Sequence, residues 1–118
     1  MQQYSIAVVP GDGIGVNTIG EAVACLETVA KVHGGIGFDF HRYPWSCAYY
    51  LEHGEMMPPD GLSMLADHDS ILFGAAGFPG VPDHVSLWGL LLPIRKEFDQ
   101  YINLRPIRLL PGIPGPLR

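Results

Sequence analysis

The sequence is poor in charged side chains, and above all in basic ones. Only 16% of its 118 residues are charged, and the formal net charge is −5. Residues 1–94 contain only two basic residues, Lys31 and Arg42, against ten acidic ones. This balance excludes nucleic acid and an anionic membrane as expected partners. Because 47% of the residues are hydrophobic, intrinsic disorder is excluded too, and a surface partly covered by further protein is indicated.

Cysteine is also scarce. Cys25 and Cys47 form no CxxC pair and have no histidine at a metal-binding spacing. No apolar run approaches the ~20 residues that a membrane span needs, and the first residues lack the pattern of a secretion signal. We therefore expect reduced thiols in a cytoplasmic protein. Cys25 lies in an apolar helical run, which predicts a core position.

Alternating strand and helix patterns predict an α/β fold with parallel strands and flanking helices. Strands are predicted at 5–9, 38–43 and 70–74, and helices at 14–32, 48–53, 62–67 and 85–101. Asp60 is a candidate cap for the third helix. The fourth should start or kink at Pro93, because an interior proline costs roughly 3 kcal/mol. Its predicted apolar face comprises Leu87, Leu91, Ile94, Phe98 and Tyr101. Residues 102–110 are predicted to be extended and 111–118 to form a loop.

The first strand is followed by Gly11-Asp12-Gly13-Ile14-Gly15, which is one glycine short of a dinucleotide fingerprint. The G-x-G-x-x-G motif needs glycine at position 16, where Val16 stands, and no acidic residue ends a second strand about 20 residues on. A Rossmann oxidoreductase is therefore the weakest interpretation. By itself the motif predicts a tight turn into a helix whose N-terminus favours anions.

A second run of small residues, from Gly74 to Gly80, follows the strand at 70–74. Small residues let a ligand approach the backbone closely. In open α/β sheets, ligands bind at the carboxyl ends of the strands. A cofactor site and an ordinary tight loop both fit this pattern.

The 95–118 segment has a net charge of +3 and contains two arginines of special interest, Arg95 and Arg105. Arg95 is predicted to face the apolar side of its helix, and Pro106 fixes the backbone after Arg105. A guanidinium meets a carboxylate with two parallel hydrogen bonds, so two converging arginines would clamp a dicarboxylate. Two unrelated surface arginines fit the sequence as well. The five histidines are scattered and form no metal-ligand pattern.

Three motifs in order, VPGDGIG, ILFGAAGFP and LLLPIRKEFDQYINLRPIRLLPG, resemble the isocitrate/isopropylmalate dehydrogenase family. The stretches PDHVSLWG and IRKEFDQYINLRP look most like its tartrate/D-malate branch. The resemblance implies the isopropylmalate-dehydrogenase-like fold, which is distinct from Rossmann. It also implies an NAD-dependent, β-decarboxylating dehydrogenase of a malate-like 2-hydroxy diacid, with Mg²⁺ or Mn²⁺, acting as a homodimer.

The resemblance also assigns site residues. The implied substrate contacts are Arg95, Arg105, Trp88 and Leu91. The implied cofactor contacts are Ile14, Gly74, Ala75, Ala76, Gly77 and Phe78.

The family's proton-transfer tyrosine and lysine, its third substrate arginine and its metal-binding aspartates fall after residue 118. We therefore expect no catalytic or metal-binding residue in this chain, and no activity from the chain alone. Residues 1–101 would be the N-terminal part of the cofactor-binding domain, and 102–118 the start of the crossover into a second domain. The alternative is a small non-catalytic module of the same fold that binds an anion or another protein.

Overall fold

The computed structural model describes residues 1–117 and has a parallel sheet at its centre. The central strand β1 (Gln2–Gly11) lies between β2 (Ile36–Arg42) and β3 (Ser70–Ala75), and both neighbours run parallel to it. The predicted α/β fold is confirmed. β1 is longer at both ends than predicted, because its pairing starts opposite Ile36 and continues to Ala75.

Alternate residues of β1 face two separate hydrophobic cores. Ile6 and Val8 pack with Ile19 on one side of the sheet. Ala7 and Val9 pack on the other side in a larger cluster that includes Trp45, Cys47, Met56, Leu65, Leu90 and Ile94. This is the period-two pattern of a strand covered on both faces.

The first face is covered by α1 (Ile14–His33), which ends at Gly34 in the left-handed conformation. The predicted inner stripe is confirmed: Ile19 is buried, and Val23, Leu26 and Ala30 are half-buried. The core position predicted for Cys25 is wrong, because this residue is exposed. Two residues beyond Val23 on a helix, it points away from that stripe.

The second face is covered by α2 (Cys47–His53), α3 (Gly61–Ala66) and the helical segments that follow. Ser46 caps α2, since its hydroxyl accepts a hydrogen bond from the Tyr49 backbone N–H. Asp60 precedes α3 but makes no side-chain cap, so that prediction is wrong. Its φ of −92° and ψ of 5° differ from the extended backbone that a capping side chain needs.

The last helical region runs through α4 (Asp83–Ser86), a π-helical turn (Leu87–Leu91) and α5 (Leu92–Glu97). The Leu92 N–H bonds to the Leu87 carbonyl, five residues back, immediately before Pro93. The extra residue of this turn accommodates a proline that has no N–H to donate. The regular helix is thus interrupted immediately before Pro93, and α5 begins with this proline in its first turn, in agreement with the prediction that a helix starts or kinks there.

The π-helical turn also changes which side chains are buried. Ser86, Leu90 and Ile94 are buried, whereas Leu87 is exposed. Tyr101 is 90% exposed, because the helix ends at Glu97 and Asp99 takes a left-handed conformation. The predicted apolar face is therefore wrong at both of its ends and correct at Ile94.

After Gln100 the described chain contains no helix or strand, and the side chains from 101 to 110 are exposed. This agrees with the extended segment predicted for residues 102–110. Arg118, which belongs to the predicted crossover segment, lies outside the described residues. Within residues 1–117, no helix combines the length and the apolar character needed to span a membrane.

Candidate functional site

The candidate site lies where the carboxyl ends of β1 and β3 meet. The chain leaves β1 toward β2 on one side and later returns as β3 on the other side. Such a reversal of strand order opens a crevice that α/β proteins use for ligands. Here the crevice is bordered by two segments, which we call the first turn (residues 11–15) and the glycine-rich loop (residues 74–80).

Three glycines at this crevice are needed for packing. A Cβ at Gly11 would overlap the Ala75 carbonyl, and one at Gly74 would overlap the Pro10 carbonyl. A Cβ at Gly15 would meet both the Pro10 carbonyl and the Ala75 backbone nitrogen. The first turn and the glycine-rich loop therefore touch backbone to backbone, and no ligand fits between them at these positions.

Asp12 fills the remaining space with a carboxylate that is only 7% exposed. Its Oδ2 accepts hydrogen bonds from the backbone N–H groups of Cys47 (2.9 Å) and Gly77 (3.2 Å). Its Oδ1 accepts one from Ala48 (3.2 Å), and its own N–H donates to the Ala75 carbonyl (2.6 Å). A buried carboxylate is tolerated when it is hydrogen-bonded in this way.

The sequence predicts only that Asp12 belongs to a tight turn, and gives its side chain no role. The partners of its side chain lie 35, 36 and 65 residues away along the chain. The one feature of the sequence that could have indicated this role is the position of Asp12 directly after a buried strand, where a carboxylate needs hydrogen-bond donors.

Cys47 lies against this carboxylate and is fully buried. Burial, the hydrogen bond to Asp12 and the Asp12 charge together raise the pKa of the thiol from 9.0 to about 11, although the Gly77 N–H acts in the opposite direction. Because the thiolate is the reactive form of cysteine, Cys47 is an inert thiol at neutral pH.

The far part of the glycine-rich loop is open. Nothing lies within 4 Å of a Cβ built at Gly77 or at Gly80. Phe78 is 49% exposed, and Ile14, the first residue of α1, is 73% exposed. Of the residues that the resemblance assigned to the cofactor, Ile14, Gly77 and Phe78 are thus accessible to a ligand.

A cavity of about 480 Å³ lies beside the near part of the same loop. Leu91 and Arg95 line it from the last helical region, and Gly74, Ala75 and Ala76 line it from the loop. The structure therefore brings two residues predicted to contact substrate next to three predicted to contact cofactor.

Arg95 also lines a second cavity of about 620 Å³, together with Trp88, Leu92 and Pro93. The prediction that Arg95 faces the apolar side is wrong, because the residue is exposed. Among residues 1–117 the one contact within ion-pair distance is between His41 and Asp39, so Arg95 has no carboxylate partner there. Arg95 thus contributes a positive charge without an ion-pair partner among the described residues, at the border of these two cavities and of a third, of about 500 Å³, that Lys96 and Asp99 also line.

Arg105 lies elsewhere. It is exposed, and its Nε donates a hydrogen bond to the Asn103 side chain at 3.1 Å. It lines none of the three cavities that Arg95 borders. The described residues therefore do not show the predicted convergence of the two arginines on one ligand.

A polar cluster that sequence reasoning also missed is centred on His68, two residues before β3. The two ring nitrogens of His68 hydrogen-bond to the Ser5 and Tyr43 hydroxyls, both at 2.7 Å. This histidine joins the start of β3 to β1 and to the residue after β2. In the part of the chain that the structure describes, no three His, Cys, Asp or Glu side chains are grouped as a metal site.

Known proteins resemble this chain over nearly all of its length. The sequence model of isocitrate/isopropylmalate dehydrogenase matches residues 5–117. Over 118 residues the chain is 52% identical to a probable tartrate dehydrogenase/decarboxylase of Bacillus subtilis. It is 51% identical to the tartrate dehydrogenase/decarboxylase of Pseudomonas putida and 50% identical to the decarboxylating D-malate dehydrogenase of Escherichia coli.

These alignments cover 94–99% of this chain but only 31–33% of each relative. The chain thus spans about one third of the length of the curated relatives that it matches. Among solved structures, a β-decarboxylating dehydrogenase from Thermococcus kodakarensis, in its apo form, superposes with a TM-score of 0.62 at 32% identity. That match covers 83% of this chain and 27% of the other.

Proposed function

Because the chain belongs to the isocitrate/isopropylmalate dehydrogenase family, we propose that it supplies part of the binding site of an NAD-dependent dehydrogenase. The reaction would oxidise and decarboxylate a malate-like 2-hydroxy diacid, the substrate class named for its tartrate and D-malate relatives. The observation that carries the proposal is the cavity shared by Leu91, Arg95 and the glycine-rich loop. It places a free cation next to a backbone that a ligand can reach.

Arg95 would hold a carboxylate of the substrate. Its guanidinium is exposed, lacks an acidic partner among the described residues and can form two parallel hydrogen bonds to a carboxylate. We propose Arg105 as a second carboxylate-binding residue. Its present bond to Asn103 is exposed to solvent and would be exchanged at little cost for one to a charged ligand.

Trp88 and Leu91 would contact the carbon substituent that distinguishes one diacid from another. Both lie in the π-helical turn, and each lines one of the three cavities that Arg95 borders. One extra residue in a helix redirects the side chains that follow it, and such turns are frequent at functional sites. This supports a role in substrate selection for the turn.

NAD would accept the hydride, and we propose that it contacts Ile14 and the loop residues Gly74, Ala75, Ala76, Gly77 and Phe78. The open space at Gly77 and the exposure of Phe78 fit a flat ring that approaches the loop from outside. A bound Mg²⁺ or Mn²⁺ would polarise the substrate oxygens as a Lewis acid. The described residues offer no three-ligand group for that metal.

We propose further that residues 1–101 belong to the cofactor-binding domain and that 102–118 lead into a second domain. The exposed apolar side chains of Ile102, Leu104 and Ile107 support this, since such side chains are usually covered by other protein. The complete enzyme would be a cytoplasmic homodimer. The 118-residue chain alone would bind ligand without turning it over.

The substrate role of Arg95 can be tested by titrating isotope-labelled chain with D-malate and following backbone amide shifts. We expect Ala75, Leu91 and Arg95 to respond, and Arg95→Lys to weaken binding by about tenfold, because lysine cannot form the paired hydrogen bonds. Arg108→Lys is the matched control, since Arg108 is exposed and borders none of the cavities that Arg95 lines. No response of these amides at saturating D-malate, or an equal loss in both variants, would refute the proposal.

A second candidate function is a non-catalytic module that holds an anion at Arg95. The observation that favours it is the completeness of the core: among residues 1–117, every buried side-chain nitrogen and oxygen has a hydrogen-bond partner. A module of this kind should unfold in one sharp thermal transition as an isolated chain. An aggregated or molten chain would instead favour the proposal that it needs the rest of an enzyme.

A further inference from the structure

The Asp12 side chain joins three segments that are remote in sequence. It lies in the first turn, its Oδ1 accepts from the first turn of α2, and its Oδ2 accepts from both Cys47 and Gly77. In the described structure, Gly77 is the first residue after β3 whose N–H is held by a side chain. Beyond it, the Val81 N–H bonds back to the Phe78 carbonyl, and no such bond holds Gly77.

We infer that Asp12 is a positioning residue, whose carboxylate fixes the Gly77 amide and thereby the part of the glycine-rich loop that faces the cofactor. The inference rests on the proposed function, because that proposal assigns Gly77 and Phe78 to NAD. It adds a residue to which neither the motif nor the proposed contacts give a role.

A carboxylate is suited to this position, and an amide is not. All three backbone groups that face Asp12 are donors, so the side chain must accept on both oxygens. Asparagine of the same shape has one oxygen and would turn an NH₂ group toward at least one of these donors. Either the Gly77 and Cys47 bonds or the Ala48 bond would be lost.

The loop has few other constraints at this point. Gly77 has no neighbour where a side chain would be, and Phe78 is half exposed. A bond of 3.2 Å from a buried carboxylate is therefore the local restraint on the direction of the Gly77 peptide. Loss of that restraint should release Phe78 and the peptide groups beside it while β1 and β3 stay paired.

The test compares Asp12→Asn with Asp60→Asn in the isotope-labelled 118-residue chain. Asp60 is exposed and makes no side-chain cap, so its substitution removes a carboxylate without breaking such a bond. Amide hydrogen exchange is measured at Gly77, Cys47 and Ala48, with Ala7 and Val8 of β1 as internal references. NAD⁺ is then titrated while the loop amides are followed.

We expect Asp12→Asn to speed exchange at Gly77 by about tenfold, as the loss of one hydrogen bond to a charged group would, with β1 unchanged. NAD⁺ affinity should fall by a similar factor, and Asp60→Asn should change neither quantity. Equal acceleration at Gly77 and in β1 would overturn the inference, because Asp12 would then act only on global stability. If only Ala48 exchange rises, the asparagine has kept its oxygen toward Gly77, and Asp12→Ala, which has no side-chain oxygen, decides: unchanged Gly77 exchange in that variant would overturn the inference.

Different results would refute the cofactor role of the loop and the positioning role of Asp12. If NAD⁺ leaves the wild-type loop amides unmoved while Asp12→Asn still releases Gly77 alone, the cofactor role of the loop is refuted and the positioning role stands. If Asp12→Asn does not fold, the wild-type chain decides: Gly77 should exchange at least about tenfold more slowly than Gly80. Equal exchange at the two glycines would overturn the inference.

Discussion

The crevice at the carboxyl end of the sheet has a closed half and an open half, although both are rich in glycine. In the closed half, Gly11, Gly15 and Gly74 let the backbones of the first turn and the glycine-rich loop touch. The buried Asp12 side chain fills the remaining space. In the open half, Gly77 and Gly80 face empty space, and the neighbouring Phe78 is half exposed. Glycine content alone therefore does not identify a ligand site: what matters is whether the chain itself occupies the space of the missing side chain.

The largest expected effect comes from adding one methyl group to the closed half. Gly15→Ala should destabilise the fold by about 3 kcal/mol or more, because the new Cβ would meet the backbone of Pro10 and Ala75, which cannot move aside as a flexible side chain can. Urea unfolding of the variant measures this. A loss of unfolding free energy below about 1 kcal/mol would show that the closed half has room for a side chain. The two halves of the crevice would then not differ in the way described.

A smaller effect tests how well the closed half excludes solvent. Burial and Asp12 raise the pKa of Cys47 from 9.0 to about 11. The folded state therefore favours the protonated thiol, and this contribution is complete below pH 9 and lost as the pH rises through about 11. We expect it to account for a fall of about 2 kcal/mol in unfolding free energy over that range.

The measurement is urea unfolding at pH 8 and pH 11 of Cys47→Ala and of Cys25→Ala, its matched control. The Cys47 variant should lose less stability than wild type between the two pH values. The exposed Cys25 should make no difference to that loss. Identical losses in all three proteins would mean that the thiol is solvated and that the closed half is not sealed.

The smallest effect should have the opposite sign. Gly20 lies inside α1, and a Cβ built there has no neighbour within 4 Å. Gly20→Ala should stabilise the protein by about 0.5–1 kcal/mol, because alanine loses less backbone freedom in a helix. Thermal unfolding of Gly20→Ala and Gly15→Ala, two variants in the same helix, should then show changes in stability of opposite sign. Destabilisation by Gly20→Ala would contradict this reading of its surroundings.

Local patterns were sufficient to predict most of the fold. The buried run from Ile6 to Val9, the stripe through Ile19 and Val23, and the glycines after α1 and α2 each act within a few residues. They placed all three strands and the first three helices to within a few residues. The motif order also predicted the family, which the comparisons confirm.

Features that depend on distant contacts were not predictable in the same way. The partners of Asp12 and the Ser5–His68–Tyr43 hydrogen bonds join residues 25 to 65 positions apart. The π-helical turn before Pro93 moved the buried face onto Leu90 and left Arg95 exposed. Periodicity could assign neither, because it assumes one regular helix.

The proposed division between binding and catalysis is tested by assaying the purified 118-residue chain for NAD⁺ reduction with D-malate and Mn²⁺, beside the D-malate titration. We predict that the amides of Ala75, Leu91 and Arg95 respond to D-malate while no NADH forms. Turnover at a normal enzymatic rate would contradict it, because the catalytic groups would then have to lie within this chain.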